Sequence, residues 1–354
     1  METIPGKCYS EAVMDKESEY MQVDIRKVAE LAKVSISTVS RVLNSSGYVS
    51  DATRTRVLAI TKELGFRQNS IARSLRSKNS SFVGLLVPDI TNEFFASLAR
   101  AIEQNLHHLG FSLFLCNTME DPEAESRYIE SLLRNQVMGI VLVSVGLKRH
   151  PRIQRNDTPI VLVDRVESDT DISQMVIIES DNERGGALAA QELLKRGVQS
   201  FVFLGDERNM HHMRKREHGF QDTLLANGVP GSRYLKESVP VLSIKARDKI
   251  KDIYRAFPFD GIFCGTDTIA IGAMRGLEEM GLAIPASVQV VGFDGISIGE
   301  FTSPPLSTIR QDTDRMGKSA AENIVGMIKG AQGGETIVLP VDFLPRSSTA
   351  MFHD

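Results

Sequence analysis

From Phe82 onward the sequence alternates short, uninterrupted apolar runs with longer amphipathic stretches, and this alternation restricts the fold more than any other feature. The runs are Phe82–Val87, Phe111–Cys116, Gly139–Val145, Ile160–Val163, Val176–Ile178, Phe201–Leu204, Gly261–Cys264 and Val288–Phe293. Around them, residues 93–109, 122–135, 182–196, 214–227, 243–256, 268–280 and 313–329 carry apolar side chains at helical spacing. A strand that is apolar without alternation is buried on both faces, which predicts parallel sheets covered by helices on each side. So many strand–helix units exceed one core, and two doubly wound α/β lobes are expected. In sheets of this kind a ligand binds beyond the carboxyl ends of the strands, in the crevice between lobes.

The first eighty residues have a different texture. Asp24 to Asn44 reads D-I-R-K-V-A-E-L-A-K-V-S-I-S-T-V-S-R-V-L-N. Asp24 is a candidate N-cap for a helix with Ile25, Val28, Ala29 and Ala32 on one face. Ser35 is the candidate cap of a second, with Val39, Val42 and Leu43 turned inward. Asn44 and the Ser-Ser-Gly after it stop that helix, because Asn and Gly tolerate left-handed backbone. Ser50 opens a third, with Val57, Ile60 and Leu64 inward and Gly65 at its end. Two short helices joined by a tight polar turn form a helix-turn-helix, whose second helix enters the major groove of DNA. The charge agrees: the whole chain carries -4, yet residues 21–80 hold eleven Lys and Arg against four Asp and Glu. A basic block of this kind is the footprint of phosphate neutralisation.

Other features exclude whole classes of function. Residues 1–22 lack periodicity, contain no apolar leader, and are expected to be a disordered extension. Residues 69–80, N-S-I-A-R-S-L-R-S-K-N-S, allow one short helix from Asn69 to Arg76, too short to persist without a partner. The three cysteines, Cys8, Cys116 and Cys264, make no C-x-x-C pair and no even framework. No apolar run approaches a membrane span, so a cytoplasmic, reducing location with no membrane partner is expected. Phosphate-loop, dinucleotide and nucleophile-elbow motifs are lacking, and neither enzymatic activity nor a cofactor is expected. His211, His212 and His218 lack zinc-site spacing and read as a metal-free surface loop.

The stretch V-A-E-L-A-K-V-S-I-S-T-V-S-R-V-L-N, followed by V-S-D-A-T-R-T-R-V-L and A-R-S-L-R-S, resembles the lactose-repressor/galactose-repressor family of bacterial regulators. The resemblance continues through D-N-E-R-G-G at 181–186, I-F-C-G-T-D-T-I-A-I-G-A at 262–273, V-V-G-F-D-G at 290–295 and P-P-L-S-T-I-R-Q at 304–311. It implies an all-α helix-turn-helix headpiece at 23–67, a hinge helix and linker at 68–80, and a core at 81–354 of the periplasmic-binding-protein type. Such a core passes between its lobes three times. The crossings are expected near 180, 310 and 333, giving an N-lobe of 81–180 and 311–332 and a C-lobe of 181–310 and 333–354.

The resemblance also assigns residues on the DNA side. Ile36, Ser37 and Arg41 fall at base-reading positions of the second helix, where an arginine can bond a guanine edge bidentately. Ser35, Thr38, Ser40, Asn44 and Thr53 read as phosphate contacts or caps, which position without specifying. In the hinge, Asn69, Ala72, Arg73, Leu75 and Arg76 are implied DNA contacts. Leu75 is the wedge that paired hinge helices insert into the minor groove. Gln68 stands where the family usually has proline, so the hinge helix is less pre-organised.

On the ligand side, Asn92, Phe94 and Phe95 follow the first core strand, and Asp164 and Arg165 end the fourth. Arg216, Asp294 and Gln311 match the family's pocket arginine, carboxylate and crossover residue, and Phe263, Thr266 and Asp267 are expected to complete the wall. Thr266 departs from the asparagine common at that position. The set resembles the pocket of ribose-binding proteins. The expectation is therefore a repressor that binds double-stranded operator DNA as a homodimer under control of a small sugar, a pentose such as ribose first. Only eight residues follow Arg346, so a dimer is expected rather than a tetramer. A plain sugar receptor without a regulatory role, or a purine or phosphosugar effector, are the alternatives.

Overall fold

The computed structural model describes residues 24–43, 46–66, 81–145, 158–166, 173–208 and 210–349. The expected N-terminal extension and the hinge segment lie outside the described residues. The chain divides into two units, 1–79 and 80–354.

The first unit contains α1 (Ile25–Ala32), α2 (Ile36–Leu43) and α3 (Asp51–Glu63). Its core is Val28, Ala29, Ala32, Val39, Val42 and Val57, flanked by Ile25, Leu43, Ile60 and Leu64. Lys33 takes a left-handed φ of 51° and turns the chain sharply between α1 and α2. The Ser35 hydroxyl accepts the Thr38 N–H at 3.1 Å, which caps α2. Asp24 and Ser50 occupy the cap positions of α1 and α3 in extended backbone, without a side-chain cap bond.

The second unit is built on two six-stranded sheets. The first lobe begins with β1 (Phe82–Val87), α4 (Glu93–His108), β2 (Ser112–Asn117), α5 (Pro122–Arg134), β3 (Gly139–Leu142), β4 (Ile160–Val163) and β5 (Met175–Ser180). The second contains α6 (Asn182–Lys195), β6 (Phe201–Asp206), α7 (His211–Ala226), β7 (Tyr234–Val239), α8 (Ser243–Ala256), β8 (Gly261–Cys264), α9 (Asp267–Glu279), β9 (Gln289–Asp294) and β10 (Ser307–Arg310). The chain then returns with α10 (Thr313–Ile328) and β11 (Glu335–Leu339) to the first lobe, and ends with β12 (Asp342–Leu344) in the second. The sheet orders are β11-β5-β4-β3-β1-β2 and β12-β10-β9-β8-β6-β7. All pairings are parallel except β10 with β12.

The apolar runs become strands because both faces are covered. Val83, Leu85 and Val87 of β1 pack with Leu98, Ile102 and Ile324 of α4 and α10, while Leu86 points to Ile129 and Leu132 of α5 on the opposite face. In the second lobe Ile262 and Cys264 face α8 and α9, and Phe263 faces α6 and α7. Each such buried Leu, Ile or Phe contributes about 1.5–3 kcal/mol by leaving water.

The crossings follow Ser180, pass through Gln311, and lie at 340–341. The third is later than the expected 333, because β11 pairs in register with β5, Glu335 opposite Val176 through Leu339 opposite Ser180. The first lobe therefore keeps the chain to Leu339. The element bounds that shift most are two: the third strand ends at Leu142 rather than Val145, and α7 starts at His211 rather than 214.

Two glycines bring α6 and α7 into backbone contact. A Cβ on Gly186 would strike the Arg216 carbonyl, and one on Gly219 the Glu183 carbonyl. This close approach fixes where Arg216 leaves α7.

Candidate functional site

The helical unit exposes one face of α2. Val39 and Val42 are buried, and the opposite face presents Ile36, Ser37 and Arg41, with Ile36 41% exposed despite its apolar side chain. Ser35 sits at the amino end of this face, its hydroxyl 2.7 Å from that of Ser37 and 2.8 Å from that of Thr38. Ser40 is half-buried on the same helix. Thr53 bonds the Ser50 hydroxyl at 2.9 Å, at the amino end of α3. Tyr48, which sequence reading passes over, stands 94% exposed on the turn after α2. Asn44, Asn69, Ala72, Arg73, Leu75 and Arg76 lie outside the described residues.

In the two-lobed unit, three strand ends and a helix converge. Asp164 follows β4 with a positive φ of 64°, and Asp294 ends β9 with a φ of 127°. Arg216 reaches from α7 between them, 4.0 Å from Asp164 of the other lobe and 3.8 Å from Asp294 of its own. Arg216 also donates to the Asn182 side-chain oxygen at 2.8 Å and to the Gly265 carbonyl at 2.7 Å. The Gln311 amide donates to Asp294 at 2.9 Å. All these side chains are buried. Burial holds the Asp294 carboxyl well above the ordinary carboxylate range although Arg216 opposes it, and burial likewise raises Asp164. Beside them a cavity of about 310 Å³ is lined by Glu93, Phe94, Ser97, Asp294, Ile296, Gln311 and Asp312 among others.

Several buried polar atoms here have no hydrogen-bond partner among the described residues: Asp164 Oδ1, Arg165 Nε, Ser180 Oγ, His212 Nδ1 and Gln311 Oε1. Buried polar groups are almost always paired, so a cluster of such atoms marks a place shaped for something else. Two acceptors and an N–H donor from the first lobe and a crossover, beside Arg216 and Asp294 of the second lobe, suit a small ligand with several hydroxyl groups.

Residues 24–69 match the family described as bacterial regulatory proteins, lacI family, and residues 80–347 match periplasmic binding proteins and sugar binding domain of LacI family. The chain belongs to the lacI family. A ribose operon repressor of Halalkalibacterium halodurans is 35% identical to it over 306 residues, covering 86% of this chain and 90% of that repressor. Among solved structures, the lac repressor dimer bound to operator and an anti-inducer superposes with a TM-score of 0.82 at 26% identity, covering 92% of this chain and 99% of that one. A lacI-family transcriptional regulator from Enterococcus faecium with bound ribose superposes with a TM-score of 0.70 at 31% identity, covering 77% and 100%. As a lacI-family protein the chain is a DNA-binding transcriptional regulator with a two-lobed sensor.

In this lacI-family chain the expected ligand residues separate into two groups. Asp164, Arg165, Arg216, Asp294 and Gln311 meet at the lobe junction, and Phe94 lines the adjoining cavity. Asn92 caps α4, its side chain accepting the Phe94 N–H at 3.0 Å. Phe95 is buried in the first-lobe core with Arg165 stacked over its ring at 4.9 Å. Three residues expected on the pocket wall have partners inside the second lobe. Phe263 is fully buried among Phe203, Phe220 and Phe293, because its place in β8 turns it toward the helices. Thr266 caps α9 by accepting the Ile269 N–H. Asp267 is committed internally to the N–H groups of Gly295 and Ile296 and the Thr308 hydroxyl, and so holds the loop after Asp294.

The histidines do not form a surface loop either. They lie on α7, with His212 buried in its first turn. Burial, together with Arg216, Arg165 and Arg208 nearby, holds the His212 imidazole well below its ordinary pKa and therefore neutral. No cluster of potential metal ligands occurs among the described residues, and none of their helices is long and apolar enough to cross a membrane. Asn182 and Phe293 were not singled out from sequence. Both lie inside motifs that carry the family resemblance, D-N-E-R-G-G and V-V-G-F-D-G, so the signal was present but undivided.

Proposed function

We propose that this lacI-family chain is a cytoplasmic repressor. It binds an inverted-repeat operator as a homodimer and is controlled by a small sugar, a pentose with ribose first. The observation that carries the sensor half is the position of Arg216 between Asp294 of one lobe and Asp164 of the other, where Asp164 Oδ1, Arg165 Nε and Gln311 Oε1 have no hydrogen-bond partner among the described residues. A ligand that satisfies all of these gains its full set of bonds in one inter-lobe geometry only, and so selects that geometry. The ribose operon repressor among the relatives and the ribose-bound regulator among the neighbours support the sugar class.

On the DNA side Ile36, Ser37 and Arg41 read base edges, and Ser35, Thr38, Ser40 and Thr53 hold phosphates. The hinge residues Asn69, Ala72, Arg73, Leu75 and Arg76, with Asn44, complete the contact set. A two-fold dimer matches a two-fold site. Effector and operator are then linked by a coupling of about 1–3 kcal/mol.

The test is selection of binding sites from random DNA with the full-length protein, then gel shifts on the recovered site with and without ribose. Two related half-sites and a ribose-dependent change in affinity are expected. A single half-site bound by a monomer overturns the dimer. A recovered site whose affinity ignores ribose but changes with another sugar removes the pentose and keeps the switch.

A further inference from the structure

We infer that Glu120 closes the effector cleft to anionic ligands, so that the effector is an unphosphorylated, polyhydroxylated sugar. The inference rests on the reading of the cleft as the effector site.

The argument is one of charge already committed. Glu120, in the loop after β2, accepts two bonds from Arg165 Nη1, at 3.1 and 2.9 Å. Across the lobe boundary Arg208 Nη1 also donates to Glu120. Arg208 turns its other edge to Asp206, with bonds of 2.9 and 2.6 Å. Arg216 lies between Asp294 and Asp164. Lys215 is paired with Glu179 of the other lobe at 2.7 Å. These four cations at the lobe junction therefore each face a carboxylate, two of them share Glu120, and Arg310 on the cavity wall faces Asp342 at 3.4 Å. His212 adds no charge, being neutral.

A phosphate ester needs uncommitted donors, and charged ones above all. Here a phosphate would meet Asp164 Oδ1 and Gln311 Oε1, both of which accept, beside the acidic cavity wall of Glu93, Asp312 and Asp314. Like charges brought together out of water are strongly unfavourable. A sugar hydroxyl has no such conflict, since it donates and accepts at once. One hydroxyl can donate to Asp164 Oδ1 while its neighbour accepts from Arg165 Nε–H, and a third can donate to Gln311 Oε1. The unpartnered atoms thus ask for hydroxyls, and Glu120 removes the positive charge that a phosphate would require.

The experiment is calorimetric titration of the full-length protein with sugars paired to their own phosphate esters: ribose with ribose 5-phosphate, glucose with glucose 6-phosphate, fructose with fructose 6-phosphate. Use of the full chain includes the basic residues of 146–157, which lie outside the described residues. In each pair that responds, the ester is expected to bind at least about 100-fold more weakly than its parent. An ester that binds as tightly as its parent overturns the inference. A response in the glucose pair and not in the ribose pair, with the ester weaker, upholds the charge rule and removes only the choice of pentose. In Glu120→Gln, which keeps the side-chain shape and frees one positive charge, the ratio should narrow by about tenfold through a gain in ester affinity. A purely structural role for Glu120 would weaken both ligands together. An unchanged ratio in a folded Glu120→Gln protein overturns the role assigned to this residue.

Discussion

The guanidinium of Arg216 lies over the ring of Phe293, its central carbon 3.6 Å from the ring centroid. Stacking fixes the guanidinium plane, and the plane aims its edges. One nitrogen reaches Asn182, another reaches Gly265 and faces Asp294, and the third faces Asp164. Phe293 precedes Asp294 in β9, so one strand supplies both the platform beneath the arginine and a carboxylate beside it. A lysine has neither the plane nor the fork.

Arg216→Lys is therefore expected to fold but to bind effector at least about tenfold more weakly. Titration calorimetry with the responding sugar reads the loss, and circular dichroism checks the fold. Affinity equal to the natural chain's would show that the arginine is structural and not part of the effector site.

Gly186→Ala tests what places that arginine. The added methyl meets the Arg216 carbonyl and the Phe220 N–H region, both backbone, so neither can move aside as a side chain would. Overpacking of this kind costs about 1–3 kcal/mol. The thermal midpoint should fall by several degrees, and effector affinity should fall with it because α7 is displaced. A variant with unchanged stability would mean that the helices separate without cost.

How much of this was legible beforehand depends on where each residue finds its partners. The strands from Phe201 and Gly261 declare themselves, because central parallel strands are apolar on both faces. β7, β10, β11 and β12 do not. β7, Y-L-K-E-S-V, is a sheet edge with one open face, while β10, S-T-I-R, is a short polar run whose pairing exists only once β9 and β12 flank it. The misplaced third crossing has the same origin, since nothing local in E-T-I-V-L says that it pairs with β5. The meeting of Asp164, Arg216, Asp294 and Gln311 at the lobe junction was readable from their motifs. Phe263 was not, because a motif contiguous in sequence sends alternate strand residues to opposite faces. Glu120 and Arg208, 88 positions apart, meet only across the lobe boundary.

Glu125 gives the protein a pH dependence. Its buried carboxylate accepts the Val145 N–H at 2.8 Å and faces the Ser144 hydroxyl. Burial pushes its pKa from 4.5 up to about 7, against those bonds and the nearby Arg165. A carboxyl whose pKa is raised on folding favours the folded state below the unfolded value, and this contribution is lost as pH rises through the folded one. Stability should thus decline between about pH 4.5 and 7 by an amount on the order of 3 kcal/mol from this group. In Glu125→Gln that part of the slope should disappear. Denaturant melts at pH 5 and pH 7.5 measure it, and equal slopes in the two proteins would count against a proton on Glu125.

Arg41 separates base reading from charge. It is exposed on the open face of α2, one turn beyond Ser37, with Val42 beneath it in the core. A bidentate contact to one guanine predicts that Arg41→Ala loses about 1–3 kcal/mol on the specific site and relaxes preference at a single base pair. A phosphate contact predicts something else: a uniform loss across all sequences and a salt dependence shallower by about one ion. Affinities for an operator and its single-base variants, each at several salt concentrations, distinguish the two. We expect discrimination to collapse at one position in each half-site while the remaining positions keep theirs. Discrimination preserved at every position, with only the salt slope altered, would make Arg41 a phosphate clamp and leave Ile36 and Ser37 to read the bases.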